Sequence, residues 1–160
     1  PNESQTTDIT QLVLGWTLRA AAHCPSHSLA EVSIRDLSFA IDEPTERGGT
    51  NLGPTPTDTA IAALVGCTNV IGHKCASKLG INIGHLDIST TCEFDRRGVT
   101  LEEEIDIPFS KISLSIETSE AVSTDDLEKL ATEVAKFCPL SKLFRQAGTV
   151  ITEEWTTKQS

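Results

Sequence analysis

The chain has 160 residues, 38% hydrophobic and 22% charged, which fits one globular domain with its own core and excludes a collagen-like, low-complexity or disordered chain. Thirteen Lys and Arg against 23 Asp and Glu leave a formal net charge of -10, which repels phosphate backbones and anionic headgroups, so no nucleic acid and no membrane are expected as partners. The polar start, residues 1–8, reads as a disordered tail without a cationic leader, and five cysteines make an odd set for a disulfide scaffold, so free thiols and a cytoplasmic location are expected.

From Ile9 to Asp42 the chain reads as strands, with β-favouring stretches at Leu12-Val13-Leu14, Val32 and Ile34, and Phe39 and Ile41. A small-residue segment, Ala20 to Ser28, connects them. Asp42 to Thr55 is a Gly- and Pro-rich loop. Pro56 to Leu79 follows as a helix, with Thr55 as N-cap, Pro56 in the first helical position, Asp58 as the capping-box acid and Gly80 as the stop. Between Asp58 and His73 the helix carries no charge, so it must be covered all round, by its own sheet and by a second subunit.

Ile83 to Asp95 and Leu101 to Thr118 alternate as the arms of an antiparallel hairpin, turned by Arg96-Arg97-Gly98. A second helix runs from Thr124, with that Thr as cap and Leu127, Leu130, Ala131, Val134 and Phe137 on one face. Pro139 ends it and opens a short third helix to Gln146, and Thr149 to Thr156 forms a last strand. The order gives an α+β fold: an antiparallel sheet with a buried central helix and a C-terminal helix pair, in a single domain over residues 1–160.

Cys67, in mid-helix, reads by itself as a small inert hydrophobe. Cys138 stands where one helix ends and the next begins, and a helix N-terminus favours a thiolate. Cys24, Cys75, His23, His27, His73 and His85 lack the paired spacing of a zinc site, so no metal is expected. Cys92 reads as strand packing, and the run Glu102-Glu103-Glu104 as a solvated edge.

Gly53-Pro54-Thr55-Pro56-Thr57-Asp58, then Ala62-Ala63-Leu64-Val65-Gly66-Cys67, and much later Phe137-Cys138-Pro139-Leu140-Ser141 resemble the OsmC/Ohr family, as does the stretch Asp42 to Thr50 before the helix. The resemblance runs from about Val32 to Trp155. It implies an intertwined homodimer and a thiol peroxidase that reduces organic hydroperoxides. Cys67 is then the peroxidatic residue and Cys138 the resolving one, with no cofactor beyond an external dithiol reductant such as a lipoyl protein. The family's activating Glu would fall at Thr57, with Asp58 beside it. Its activating Arg has no match in register, which leaves Arg19, held by Asp58 or Glu46, as the candidate, and Arg35 and Arg47 as substitutes. The alternative on the same fold is a non-catalytic dimer that binds a small molecule or senses redox state.

Overall fold

The computed structural model describes residues 15–159, and the expected tail and the strand at Leu12 to Leu14 lie outside them. The chain divides after Pro56 into two compact units. In the first, β1 (Ala21–His23), β2 (Ala30–Ile34) and β3 (Leu37–Ile41) form an antiparallel sheet in that order. The segment read as a connector therefore supplies a short strand of its own. Arg35 takes a left-handed φ of 55° to close the tight turn between β2 and β3.

The loop after β3 is irregular but closely held. Asp42, which is fully buried, accepts the amides of Glu43 at 2.7 Å and Leu52 at 3.1 Å and the hydroxyl of Thr50, so one carboxylate ties both ends of the loop together. A one-turn 3-10 helix, Thr45–Arg47, folds inside it. Gly49 is required there because any Cβ would collide with the Glu43 carbonyl.

The second unit contains α1 (Pro56–Leu79, all but its first residue), β4 (Leu86–Phe94), β5 (Phe109–Thr118), α2 (Thr124–Phe137), α3 (Pro139–Gln146) and β6 (Val150–Thr157). Its sheet runs β4-β5-β6. β4 and β5 pair antiparallel, whereas β6 lies parallel to β5. That departs from the all-antiparallel sheet expected from the sequence. The helix pair between β5 and β6 carries the chain back across the sheet, and so the last strand starts from the same end as β5.

One face of this sheet carries Ile88, Cys92, Ile112, Leu114, Ile116 and Ile151. With Leu64, Leu130, Val134 and Phe144 from the helices it makes the core. On α1 the buried residues are Leu64, Thr68, Gly72, Cys75 and Ala76, a stripe at helical spacing, and Gly72 lets the helix approach Leu86 and Trp155. Elsewhere on α1, Ala62, Ala63 and Gly66 are exposed and Val70 is 51% exposed.

Two local expectations change. The second hairpin arm begins at Phe109, not Leu101, because residues 95–108 fold on Arg97, whose guanidinium holds Asp95 and Glu103 at 2.7 Å each. Leu101 is left 91% exposed with φ 61°. The cap of α2 is Ser123, whose hydroxyl accepts the Asp126 amide at 3.2 Å, with Thr124 as the first helical residue.

Candidate active site

The sequence Phe137-Cys138-Pro139 places one residue between two helices. Proline disfavours helical backbone in the residue before it, so Cys138 is extended (φ -70°, ψ 110°) and serves as C-cap of α2 and N-cap of α3. Its amide donates to the Val134 carbonyl at 2.9 Å, and its own carbonyl accepts the Lys142 amide at 3.1 Å. Its sulfur caps α3 by accepting the Ser141 amide at 3.4 Å.

That anchored sulfur faces a second one. Cys138 Sγ lies 3.2 Å from Cys67 Sγ, 71 positions away in the chain, with the Cys138 thiol as donor. The pair is reduced. Cys138 is fully buried, while Cys67 is half-buried on α1 beside Leu64 and Thr68. The Thr68 hydroxyl is satisfied within the helix through the Leu64 carbonyl at 2.8 Å.

Burial pushes the Cys138 thiol up from its ordinary 9.0 to about 11. The Ser141 and Leu140 amides pull the other way, and Cys67 adds to the rise. The thiolate expected from a helix N-terminus is thus outweighed by desolvation, and the Cys138 thiol is neutral at pH 7. The geometry can do three things: present a half-accessible sulfur to an oxidant, support negative charge on it through the Cys138 S–H, and close a disulfide after a sulfur shift of about 1 Å to the ordinary S–S length.

Asp58 is in the first turn of α1, about 13 Å along the helix from Cys67 and on its opposite face, beyond direct contact. Arg19 is an exposed residue just before β1, Arg35 is at the β2–β3 turn, and Arg47 is paired with Glu43 at 2.8 Å. Cys75 is buried on α1, and burial raises its thiol too. His27 contacts the Gly48 carbonyl at 3.1 Å. Among the described residues no group of three or more His, Cys, Asp or Glu is placed to hold a metal ion, and no helix is long and apolar enough to cross a membrane.

Behind Cys138 stand Arg145 and Glu153, to which the sequence reading gave no role, and Ser141, which it named only within the motif. The Arg145 Nε donates to the Ser141 Oγ at 3.1 Å, and its Nη2 lies 3.9 Å from a Glu153 oxygen on β6. The other Glu153 oxygen accepts the Trp155 indole N–H at 3.2 Å. Two signals existed: Ser141 is four residues before Arg145 on a helix, and Glu153 interrupts the apolar face Ile151-x-x-x-Trp155.

Comparison with known proteins agrees with this architecture. The family model described as OsmC-like protein matches residues 49–154. An OsmC-like protein from Mycoplasma pneumoniae superposes with a TM-score of 0.75 at 18% identity, over 90% of this chain and 99% of that one. An organic hydroperoxide resistance protein from Legionella pneumophila gives 0.65 at 16%, over 90% and 98%. The organic hydroperoxide resistance protein OhrB of Bacillus subtilis gives 0.59 at 19%, over 89% and 98%. No curated protein matches by sequence.

Proposed function

The chain belongs to the OsmC-like family, and from that premise we propose that it is a thiol-dependent peroxidase that reduces organic hydroperoxides through Cys67 and Cys138. The observation that carries the reading is the 3.2 Å approach of two thiols that are remote in sequence, one of them fully buried and kept protonated. The names of the Legionella and Bacillus relatives point to the same class of substrate.

The Cys67 thiolate attacks the terminal peroxide oxygen. An S–O bond forms as the O–O bond breaks, Cys67 becomes a sulfenic acid, and the alkoxide takes a proton from solvent to leave as alcohol. The Cys138 sulfur then attacks the Cys67 sulfur. The S–S bond replaces S–O, and the Cys138 proton leaves with the hydroxyl as water. A dithiol of the lipoyl class restores both thiols by exchange and is itself oxidised to a disulfide. Cys138 thus has a use for its retained proton in each half: as a donor toward Cys67 before attack, and in the departing water afterwards.

The working unit is a homodimer in this reading. Ala62, Ala63, Gly66 and Val70 make an exposed, small-residue, apolar side of α1, suited to the close approach of a second copy. In this reading Arg19 is the activating cation and Asp58 its holder.

Steady-state consumption of cumene hydroperoxide with a dithiol reductant, run beside hydrogen peroxide, tests the activity. Turnover with preference for the organic peroxide is expected. Absence of turnover with both leaves the ligand-binding or redox-sensing dimer as the better reading, and a stable monomer at low micromolar concentration in sedimentation defeats the dimer.

A further inference from the structure

Glu153 breaks the rule of its own strand. Register sets it beside Leu114, on the row between Ile112–Ile151 and Ile116–Trp155, so a carboxylate projects from the face that otherwise makes the core. Its side chain is only 11% exposed. A carboxylate so placed costs stability unless it is paired, and an apolar residue would fill the site better. Its partners are the Trp155 indole and the Arg145 guanidinium. Arg145 in turn holds the hydroxyl of Ser141, which is 2% exposed, and the Ser141 amide holds the Cys138 sulfur. The chain of contacts runs from the sheet, through the last turn of α3 and back to its first, and ends on a thiol.

We propose that Arg145 is a positioning residue of the thiol pair: braced on Glu153, it fixes Ser141 and the first turn of α3, and so keeps the Cys138 sulfur directed at Cys67. The proposal rests on the Cys67–Cys138 reading given above. Closing the disulfide needs the sulfurs to move from 3.2 Å to about 2.05 Å. At that range a misplacement of about 1 Å can cost on the order of a hundredfold in rate. The eight-residue helix is seated on the core by Leu140 and Phe144, and the brace through Arg145 is what fixes the hydroxyl of Ser141 in its first turn.

The test uses the full-length reduced chain and oxidised dithiothreitol, so that two thiol hydrogens pass to the reagent as the Cys67–Cys138 bond forms. Closure rate and equilibrium are read by alkylation and mass, and each variant is also melted. Arg145→Gln and Ser141→Ala are expected to lower both about tenfold, within the range a sub-ångström misplacement produces. Arg145→Lys should recover part of the loss, since it keeps the charge on Glu153 and loses the guanidinium fork. Glu153→Gln should resemble Arg145→Gln. Lys142→Gln removes the same charge from the exposed side of the same helix and should stay within twofold.

Closure of Arg145→Gln and Ser141→Ala at the native rate overturns the proposal. So does a Lys142→Gln loss of equal size, or a slowing that merely tracks melting temperature across the set. A native chain that never forms the disulfide overturns it outright. Because no hydroperoxide is involved, Arg145-dependent closure in a chain that consumes no cumene hydroperoxide keeps this inference and defeats the peroxidase reading. Peroxide turnover with Arg145-independent closure does the reverse.

Discussion

Asp42 and Cys138 are both fully buried, both sit at a break in regular structure, and their protons behave in opposite ways. Asp42 is held far below its ordinary 3.8, first by the Thr50 hydroxyl and then by the Leu52 and Glu43 amides, all against the cost of burial. In Cys138 burial is the largest influence, and two amides do not offset it. The difference teaches that depth alone does not decide charge. A hard carboxylate met by several converging donors stays ionised, whereas a soft, weakly accepting sulfur with few donors stays neutral. The loop of the first unit is built around a permanent charge, and the thiol pair of the second around a proton that can be given up.

The largest effect expected is on turnover, and it tests whether the neutral thiol is the second actor. Cys67→Ser should reduce peroxide consumption to the uncatalysed background. Cys138→Ser should still complete one attack and leave a sulfenic acid on Cys67 that a dimedone-type reagent traps. Mass spectrometry of the trapped adduct checks this. Identical behaviour of the two variants, or activity in Cys67→Ser, reverses the assignment of roles.

Removing the charge from the other side of the comparison should cost fold rather than chemistry. Asp42→Asn replaces one acceptor oxygen with a donor that faces the Thr50 hydroxyl or the Leu52 amide. A marked drop in melting temperature and new proteolytic cuts within residues 43–54 are expected. The pH sign follows from the depressed carboxyl: its stabilisation is present above about pH 4 and is lost as pH falls below it. Asp42→Asn should flatten that acid limb of the stability curve. If the limb keeps its slope, Asp42 is not the group that the loop depends on.

Much of this was legible in the sequence wherever a residue type punctuates the backbone. Pro56 and Gly80 bound α1 as read, and Cys138-Pro139 divides the two later helices. The resemblance singled out Cys67 and Cys138, and the fold brings their sulfurs together. What escaped depends on partners far along the chain. Leu101, Ile105 and Ile107 alternate as a strand would, but Arg97 draws Asp95 and Glu103 together and turns the stretch into a loop. The parallel pairing of β6 follows from the helical crossover before it, not from its own residues. Glu153 was visible as an oddity, yet only the packing of α3 on β6 shows that Arg145 meets it.

A smaller effect separates the two regions at the alkaline end. Because the folded state holds the Cys138 proton to about 11 against an ordinary 9.0, its contribution to stability is fully present below pH 9 and is lost between pH 9 and 11. Two units correspond to on the order of 2–3 kcal/mol. Denaturant unfolding of the reduced chain across that window should show the decline, and Cys138→Ser should remove most of it. An alkaline limb of unchanged slope in the variant would place the titration on another group.

The smallest effect bears on the proton that lies between the sulfurs. If the Cys138 S–H donates to Cys67, losing the donor should make Cys67 a poorer nucleophile even in the first step, before any disulfide is possible. Cys138→Ser keeps a donor and Cys138→Ala does not, and neither can resolve a sulfenic acid, so the two differ only in that hydrogen bond and in a small volume. At pH 7 the rate of Cys67 with cumene hydroperoxide, or with iodoacetamide, is expected to be roughly two- to tenfold lower in the Ala variant than in the Ser variant, the size of one net hydrogen bond. Equal rates would mean that Cys138 serves only as the resolving thiol. The charge on Cys67 would then be supported from elsewhere, and Arg19 would be the next residue to replace.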